Sequence, residues 1–248
     1  MAVRSRSCAA CTVRSIALCE VLDVQQLAQL NRHSYGRRYF AGRMIAGASA
    51  SENWCATVLA GVVKLSKALP DGRQQIVALL FPGDFLGRPF RAEFPYTAEA
   101  ATDVHLCCYA RTSFERFLKE HPKLKQAFLE RVLDSVDAAR DWMLLLGRKT
   151  AGEKVASLLV TILKRTGAAT GSKQGPELAL PLTRTEMADY LGLRLETVSR
   201  QLRQLETSGA IKRRDVRRIS ILDGEKLVRV AGLDGSEGRP RLSATLLG

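Results

Sequence analysis

The sequence predicts an α+β protein in which an N-terminal antiparallel β roll of the cupin-like jelly-roll type precedes a long helix and a C-terminal winged helix-turn-helix. Three observations predict this order. Residues 37–114 contain short apolar runs separated by Gly, Pro and Asp. Residues 121–147 carry one long helical pattern, and residues 183–211 read as two short helices joined at Gly192.

Domain boundaries follow from these patterns. We expect a cysteine-bearing segment with a short helix at 1–30, the roll at 31–120, the long helix at 121–147, the winged helix-turn-helix at 148–230 and a disordered tail at 231–248.

Composition limits the class of protein. The chain has 248 residues, 46% of them hydrophobic, which is enough for two packed cores, and its net charge is +13. A basic protein of this kind favours a polyanionic partner, which could be DNA, RNA or an anionic membrane surface. No run approaches the roughly 18 apolar residues of a membrane helix. The first eleven residues also lack the apolar core of a signal peptide, so we expect a cytoplasmic protein.

Three of the six cysteines are close together near the N-terminus. Cys8, Cys11 and Cys19 form a C-x2-C-x7-C group. Structural disulfides are rare in a reducing cytosol, so this spacing indicates a metal or redox centre that holds zinc or iron. The alternative is that these are small apolar residues packed under a loop. A metal centre would need a fourth ligand from elsewhere.

The remaining cysteines lie within the predicted roll. Successive residues of a strand point to opposite faces, so Cys107 and Cys108 cannot both serve one site. Cys55 follows Trp54 in an apolar run, and we expect it to be a core residue. The sequence Asp71-Gly72 predicts a tight hairpin turn between two strands of the roll.

The long helix has an apolar stripe flanked by charged residues. The stripe consists of Leu124, Phe128, Val132, Ser135 or Val136, Ala139 and Met143. Such a stripe serves either the core of the same chain or a parallel coiled coil with a second subunit. A homodimer would suit a helix-turn-helix that binds two half-sites.

The second helix of the helix-turn-helix has a polar face that can contact bases. Spacings of three and four place Glu196, Ser199, Arg200 and Arg203 on this face, opposite Val198, Leu202 and Leu205. Arg can bind guanine through two hydrogen bonds, and Glu can accept one from cytosine, as a helix in the major groove of DNA requires. Thr183 and Glu186 form a capping box for the preceding helix, whereas Arg194 supplies no capping side chain to this one.

The segment 211–222 reads as two short strands around a basic turn, which completes a winged helix. Its basic residues are expected to contact DNA phosphates and are Lys212, Arg213, Arg214, Arg217 and Arg218. An enzyme is not expected, because His33, His105 and His121 are scattered and no nucleophile stands beside a base in a recognisable pattern.

The order of roll, long helix and winged helix, together with the sequence ETVSRQLRQL, resembles the CRP/FNR family of bacterial transcription regulators. Glu196, Ser199 and Arg200 match the E-x-x-S-R motif of the FNR branch. The resemblance implies a homodimer that binds a TTGAT-type palindromic site on double-stranded DNA, with Arg200 reading guanine and Glu196 the opposed cytosine. It also implies contacts with RNA polymerase, from loops near Asp71-Gly72 and from the DNA-binding domain.

The cysteines are similar to those of oxygen-sensing FNR proteins, in which three close cysteines and one remote cysteine hold a 4Fe-4S cluster. The x7 gap resembles the FnrL-type pattern, and the family spacing before Phe114 makes Cys107 the remote ligand in preference to Cys108. The resemblance therefore implies a cluster held by Cys8, Cys11, Cys19 and Cys107, and control of anaerobic or microaerobic gene expression.

Two alternatives stay open. Four thiolates also suit zinc or a 2Fe-2S cluster, so the chain could be a regulator of the same family with zinc or another effector and no oxygen-labile cluster. The cyclic-nucleotide branch grips its ligand with a Glu and an Arg-Ser or Arg-Thr pair, which the stretch GRPFRAEFPYTAEA does not contain. We expect no cyclic nucleotide.

Overall fold

The computed structural model describes residues 8–48, 50–91, 93–167 and 176–233. The chain divides into two compact units, Met1–Arg140 and Asp141–Gly248, and the boundary falls within the long helix. Residues 1–7 of the predicted cysteine segment lie outside the described residues. The same holds for the predicted tail from residue 234 onwards.

The first unit begins with three 3-10 turns, at Cys8–Ala10, Arg14–Ile16 and Leu18–Val21. Its helices are α1 (Val24–Arg32), α2 (Arg111–Glu120) and α3 (Pro122–Arg148), the last of which continues into the second unit. Its strands are β1 (Ser34–Tyr39), β2 (Met44–Ala46), β3 (Ala50–Ser51), β4 (Trp54–Ala60), β5 (Val63–Ala68), β6 (Gln74–Leu80), β7 (Phe85–Leu86), β8 (Glu93–Phe94), β9 (Thr97–Ala100) and β10 (Val104–Ala110).

Two four-stranded antiparallel sheets form the roll, with strand orders β1-β10-β4-β7 and β2-β9-β5-β6. Strands β3 and β8 form a separate two-stranded antiparallel sheet. The two sheets enclose one apolar core, which contains Trp54, Val58, Val63, Leu106 and Cys108. The predicted antiparallel roll is therefore confirmed, and the α+β fold class with it.

The sheet β1-β10-β4-β7 is covered on its outer face as well. A second core packs there against the 3-10 turns, α1, α2 and the start of α3, and it contains Leu27, Cys107, Phe114 and Leu124. Strands β4 and β10 are consequently buried on both faces, and the first five residues of β4 are all buried. Burial on both faces explains why these strands read as continuous apolar runs.

The hairpin turn predicted at Asp71-Gly72 joins β5 to β6. Gly72 has φ of +85°, the left-handed region that favours glycine, and the backbone N–H of Arg73 donates to Asp71 Oδ1 at 3.0 Å. Helix α2 was not predicted, since the whole of 31–120 was assigned to the roll. Phe114, Phe117 and Leu118 of α2 are buried in the outer core, so this helix forms part of the first unit.

The apolar stripe of α3 serves two purposes. Leu124 is fully buried in the outer core of the roll and Phe128 packs against it. Further along, Val132 and Val136 of the stripe are exposed by 39% and 40%, and the adjacent Leu129 and Leu133 by 57% and 56%. The first part of the stripe therefore belongs to the core of its own chain, and the second part leaves an uncovered apolar seam.

The second unit contains the predicted winged helix-turn-helix. Its elements after α3 are α4 (Ala151–Thr166), β11 (Glu177–Ala179), α5 (Arg184–Leu191), α6 (Leu195–Thr207), β12 (Ile211–Arg213), β13 (Arg218–Ile221) and α7 (Gly224–Val230). The three strands pair in the order β11-β13-β12. Strand β11 was not predicted, because three residues are too short to show a period.

The helix-turn-helix forms as its sequence predicts. The Thr183 side chain accepts from the backbone N–H of Glu186, whose carboxylate accepts in turn from the N–H of Thr183 at 2.7 Å. Gly192 ends α5 in the left-handed conformation, with φ of +61°. Helix α6 starts at Leu195, and the N-cap residue Arg194 makes no side-chain capping hydrogen bond, as expected.

None of the helices in the described part of the chain combines the length and the hydrophobicity that crossing a lipid bilayer requires.

Replacing Thr183 with Ala should lower the free energy of unfolding by about 1 kcal/mol, because the capping box loses its acceptor while the rest of the site keeps its shape. Thr185→Ala is the matched control, since Thr185 is exposed on the same helix and should change stability by less than about 0.5 kcal/mol. Denaturant unfolding monitored by circular dichroism measures both. Equal losses in the two variants would contradict the capping role.

Candidate functional site

The two cysteines of β10, Cys107 and Cys108, lie in different cores. Cys107 lies in the outer core with Cys55 and Tyr109, and Cys8 and Cys19 pack against that core. Cys108 lies between the two sheets instead, near the Arg37 guanidinium. The structure therefore brings Cys107, and not Cys108, to the side of the roll that carries the N-terminal cysteines.

The four predicted ligands are electrostatic neighbours. Burial, followed by the neighbouring thiols of Cys11, Cys8 and Cys107, raises the pKa of Cys19 to about 11. The pKa of Cys8 is raised by burial, then by Cys107 and Cys11. A negative charge on any one thiol thus disfavours a negative charge on the others, and a bound cationic centre would reverse this effect.

The four thiols do not converge on one point. In the part of the chain that the structure describes, no three His, Cys, Asp or Glu side chains stand close enough together to hold a metal ion. Together with the mutual effects on pKa, this makes the four thiols a loose group on one side of the sheet.

Polar side chains surround two of these thiols. Cys107 Sγ lies 3.2 Å from the Tyr109 hydroxyl, and the Ser34 hydroxyl also hydrogen-bonds to it. Burial raises the pKa of Cys107, and these two hydrogen bonds oppose the rise by stabilising the thiolate. Cys8 Sγ lies 3.4 Å from Asn31 Oδ1. Sequence reasoning did not identify these partners, which come from α1, β1 and β10.

Cys55 is separate from the thiol group in its electrostatics. It is fully buried, and its pKa is raised to about 12 by burial, then by Glu115 and Cys108, with no contribution from Cys8, Cys11 or Cys19. The structure agrees with its interpretation as a core residue.

The cysteine segment is fastened at Ile16, between Cys11 and Cys19. The Arg131 guanidinium, on α3, donates to the Ile16 carbonyl oxygen at 2.7 Å. Gly83, in the connection between β6 and β7, comes so close that a Cβ added to it would lie 2.8 Å from the same oxygen. The same backbone group is therefore hydrogen-bonded to α3 and packed closely against the roll.

The polar face of α6 is open. Glu196, Arg200 and Arg203 are exposed, and Ser199 is half-buried. Val198, Leu202 and Leu205 on the opposite face are buried. Within the described residues, Glu196, Arg200 and Arg203 have no hydrogen bond or ion pair to other side chains. Their donors and acceptors are consequently free for an external partner.

The basic residues of the wing are less available than predicted. Arg213 Nε donates to Glu206 Oε2 at 2.6 Å, and Arg214 Nε donates to Ser220 Oγ at 2.8 Å. Arg218 lies 3.7 Å from Asp215 and 3.8 Å from Glu177. These internal partners compete with phosphate for the three guanidiniums, and the expectation that all five wing cations serve phosphates stays a prediction. Lys212, Arg214, Arg217 and Arg218 are exposed.

A groove of about 420 Å³ beside the wing collects further positive charge. It is lined by Arg184, Arg213, Arg214, Asp215 and Val216. Burial lowers the pKa of Arg184, and the neighbouring Arg213 lowers it further. Sequence reasoning missed Arg184, although its position directly after the capping residue of α5 is a signal, because helix N-termini and cations together attract phosphate.

Comparisons with known protein families match both units. The profile of the Crp-like helix-turn-helix domain matches residues 153–230, and the profile of the cyclic nucleotide-binding domain matches residues 37–121. The second match describes the roll, and the expectation that no cyclic nucleotide binds stays a prediction.

The chain is similar to individual regulators over most of its length. It is 44% identical to the transcriptional activator protein FnrL of Cereibacter sphaeroides, covering 94% of this chain and 95% of that protein. It is 38% identical to the nitrogen fixation regulation protein FixK of Bradyrhizobium diazoefficiens, covering 82% and 85%. Its structure is similar to that of FixK2 from Bradyrhizobium japonicum, with a TM-score of 0.72, 32% identity, and coverage of 79% of this chain and 96% of that one.

These matches confirm the resemblance drawn from the order of the domains and from the E-x-x-S-R motif. With an open recognition helix in a Crp-like domain and a roll of the matching family, the chain belongs to the CRP/FNR family of DNA-binding transcription regulators, on its FNR-like branch.

Proposed function

We propose that this protein is an oxygen-responsive transcription regulator that binds a 4Fe-4S cluster and, as a homodimer, a TTGAT-type palindromic DNA site. One observation carries the proposal: four cysteines, three from the N-terminal segment and Cys107 from β10, gather on one side of a sensor roll. The name of FnrL, a transcriptional activator, supports activation as the mode of control. The cytoplasmic location predicted from the sequence belongs to this proposal.

The donor set of the four cysteines fits an iron-sulfur cluster, which takes one thiolate at each of several iron atoms. A structural zinc takes all its ligands at one metal, each sulfur about 2.3 Å away, and four thiolates suit it as well. The four thiols lie near enough to influence one another's pKa. When bound, an iron-sulfur cluster would supply the oxygen-reactive chemistry.

The ligand-bearing segment has a direct connection to α3. Cys11 and Cys19 flank Ile16, whose carbonyl oxygen accepts from Arg131. When the four thiolates are held in place, the cysteine segment is fixed against the roll. The hydrogen bond between Arg131 and Ile16 then restrains the position of α3. The N-terminal half of α3 is thus the element whose position depends on the state of the cysteines.

A second copy of the chain is the partner that the exposed seam of α3 favours. Leu129 and Val136 stand seven residues apart, with Val132 between them at a spacing of three, which is the pattern of a coiled-coil seam. In a homodimer, pairing of two α3 helices would place two α6 helices for the two halves of a palindromic site.

The open face of α6 supports direct reading of base edges. Arg200 is expected to read a guanine and Glu196 the opposed cytosine, with Ser199 and Arg203 beside them. The exposed wing residues and the groove around Arg184 are expected to hold phosphates. Contacts with RNA polymerase remain an expectation from the family.

The competing proposal is a regulator of the same family that holds zinc, a 2Fe-2S cluster or another effector. It keeps the DNA-binding unit and loses the oxygen response. The nature of the bound metal separates the two, so spectroscopy and metal analysis decide between them.

Protein purified without oxygen should contain iron and sulfide and show a broad visible absorption that bleaches in air. Cys107→Ser should abolish this absorption, because it removes the one ligand that the roll supplies. Cys108→Ser should retain it, since Cys108 lies between the sheets, and is the matched control. A colourless wild-type protein with stoichiometric zinc would refute the cluster.

Arg200→Ala should weaken binding to a matched site by about 1–3 kcal/mol and relax the choice at one base pair, because a bidentate contact to guanine is lost. Arg217→Ala should weaken matched and random DNA alike, since a phosphate contact carries no sequence information. Fluorescence anisotropy at fixed salt measures both. Equal losses of affinity for matched and random DNA in Arg200→Ala would contradict the role of Arg200 in base reading.

Val136→Glu should weaken self-association by about tenfold or more, because each subunit would bring a carboxylate into an apolar seam, and tenfold corresponds to about 1.4 kcal/mol. Asp134→Ala, on the opposite side of the same helix, should leave self-association unchanged. Sedimentation velocity over a range of concentrations measures the effect. A Val136→Glu protein that dimerises like the wild type would place the subunit contact elsewhere.

A further inference from the structure

Tyr109 is a buried phenol beside the thiol group. Its side chain is 5% exposed, and its ring packs against Phe114 with the centroids 5.6 Å apart. Its hydroxyl lies 3.2 Å from Cys107 Sγ. A buried tyrosine hydroxyl needs a hydrogen-bond partner, and here the partner is the sulfur of the proposed fourth ligand.

The sheet fixes this pair. Tyr109 and Cys107 are two residues apart on β10, so they face the same side. The residue opposite Cys107 on β1 is Gly36, which has no side chain, and the residue opposite Tyr109 is Ser34. The position directly opposite the Cys107 sulfur is therefore open, and the hydroxyls of Ser34 and Tyr109 both reach the sulfur from the neighbouring positions.

The direction of the hydrogen bond depends on the state of the thiol. In a free thiol, either the S–H or the O–H group can donate. A thiolate bound to a metal has no proton and only accepts, so the phenol must then be the donor. The ring packing of Tyr109 against Phe114 leaves the hydroxyl in place for this.

We propose that Tyr109 is a positioning residue for the cluster site: its hydroxyl donates a hydrogen bond to the Cys107 thiolate, fixes the orientation of that ligand and draws negative charge from its sulfur. The inference rests on the proposed function, because it concerns the same site. Nothing in the C-x2-C-x7-C pattern identifies Tyr109, since it acts through Cys107 and binds no metal itself.

The expected effect has a definite sign. A hydrogen bond to a ligand sulfur stabilises the more negative, reduced state of an iron-sulfur centre more than the oxidised state, which raises the reduction potential. Removing the Tyr109 hydroxyl should therefore lower the potential and make the centre easier to oxidise.

The test is Tyr109→Phe in the full-length chain purified without oxygen, since this change keeps the ring and removes only the hydroxyl. The variant should fold and contain iron, with a midpoint potential more negative than that of the wild type and bleaching in air several-fold faster. Tyr35→Phe is the matched control. Tyr35 is opposite Cys108 in the β1-β10 register and packs against the core between the sheets, so its loss should change neither quantity.

A second measurement uses the wild-type protein. Its iron-sulfur stretching bands in the resonance Raman spectrum should shift in D₂O, because the proton donated to the sulfur exchanges for deuterium. The size of this shift should be smaller in Tyr109→Phe. Bands that do not move in D₂O overturn the proposal even if Tyr109→Phe fails to fold.

The remaining outcomes separate the two proposals. If the wild-type protein binds no iron, the proposed function fails and this inference fails with it. If Tyr109→Phe contains iron and matches the wild type in potential and in bleaching rate, the role of Tyr109 is refuted while the cluster stands.

Discussion

Burial of one strand on both of its faces is the constraint on which the first unit depends. Strand β10 lies inside a sheet whose inner face closes the core of the roll and whose outer face is covered by helices and the cysteine segment. Alternation of side chains then forces Cys107 and Cys108 apart. A slip of one residue in the register of β10 would exchange them, so the pairing of β10 with β1 and β4 determines which thiol is available.

The same constraint explains how the apolar surroundings of the thiols arise. Phe85, Phe114 and Phe128 pack against one another with centroid distances of 5.1 to 6.3 Å. They come from β7, from α2 and from α3, and they belong to the same outer core as Cys107, against which Cys8 and Cys19 pack. The apolar core beside the thiols is thus built from three separate parts of the chain.

Sequence patterns predicted the features that depend on local chemistry. The capping box at Thr183, the turn at Asp71-Gly72, the long helix and the polar face of α6 all follow from residue types at fixed spacings. Helix α2 was missed because its apolar residues follow a strand directly, and no turn residue marks the boundary at Ala110. Choosing Cys107 over Cys108 needed the family spacing, since alternation alone says that they differ and not which one faces outward.

Charge was the least predictable property. The wing has five basic residues among residues 212–218. Three of them, Arg213, Arg214 and Arg218, pair with Glu206, Ser220 and Glu177 respectively. Each of these partners lies outside the turn of the wing, on α6 or on a strand. Conversely, Arg184 joins the groove from α5. A count of basic residues gives the sign of the electrostatic field, whereas the pairing that leaves some guanidiniums free depends on the tertiary fold.

In the hydrogen bond between Arg131 and Ile16 the acceptor is a backbone oxygen. This affects which of the positions involved can change during evolution. Every residue type supplies the same carbonyl group, and the Ile16 side chain is half exposed. Position 16 itself is accordingly tolerant of drift. Purifying selection should act on its two neighbours instead: on Gly83, where any side chain would collide with the acceptor, and on Arg131, which provides the donor.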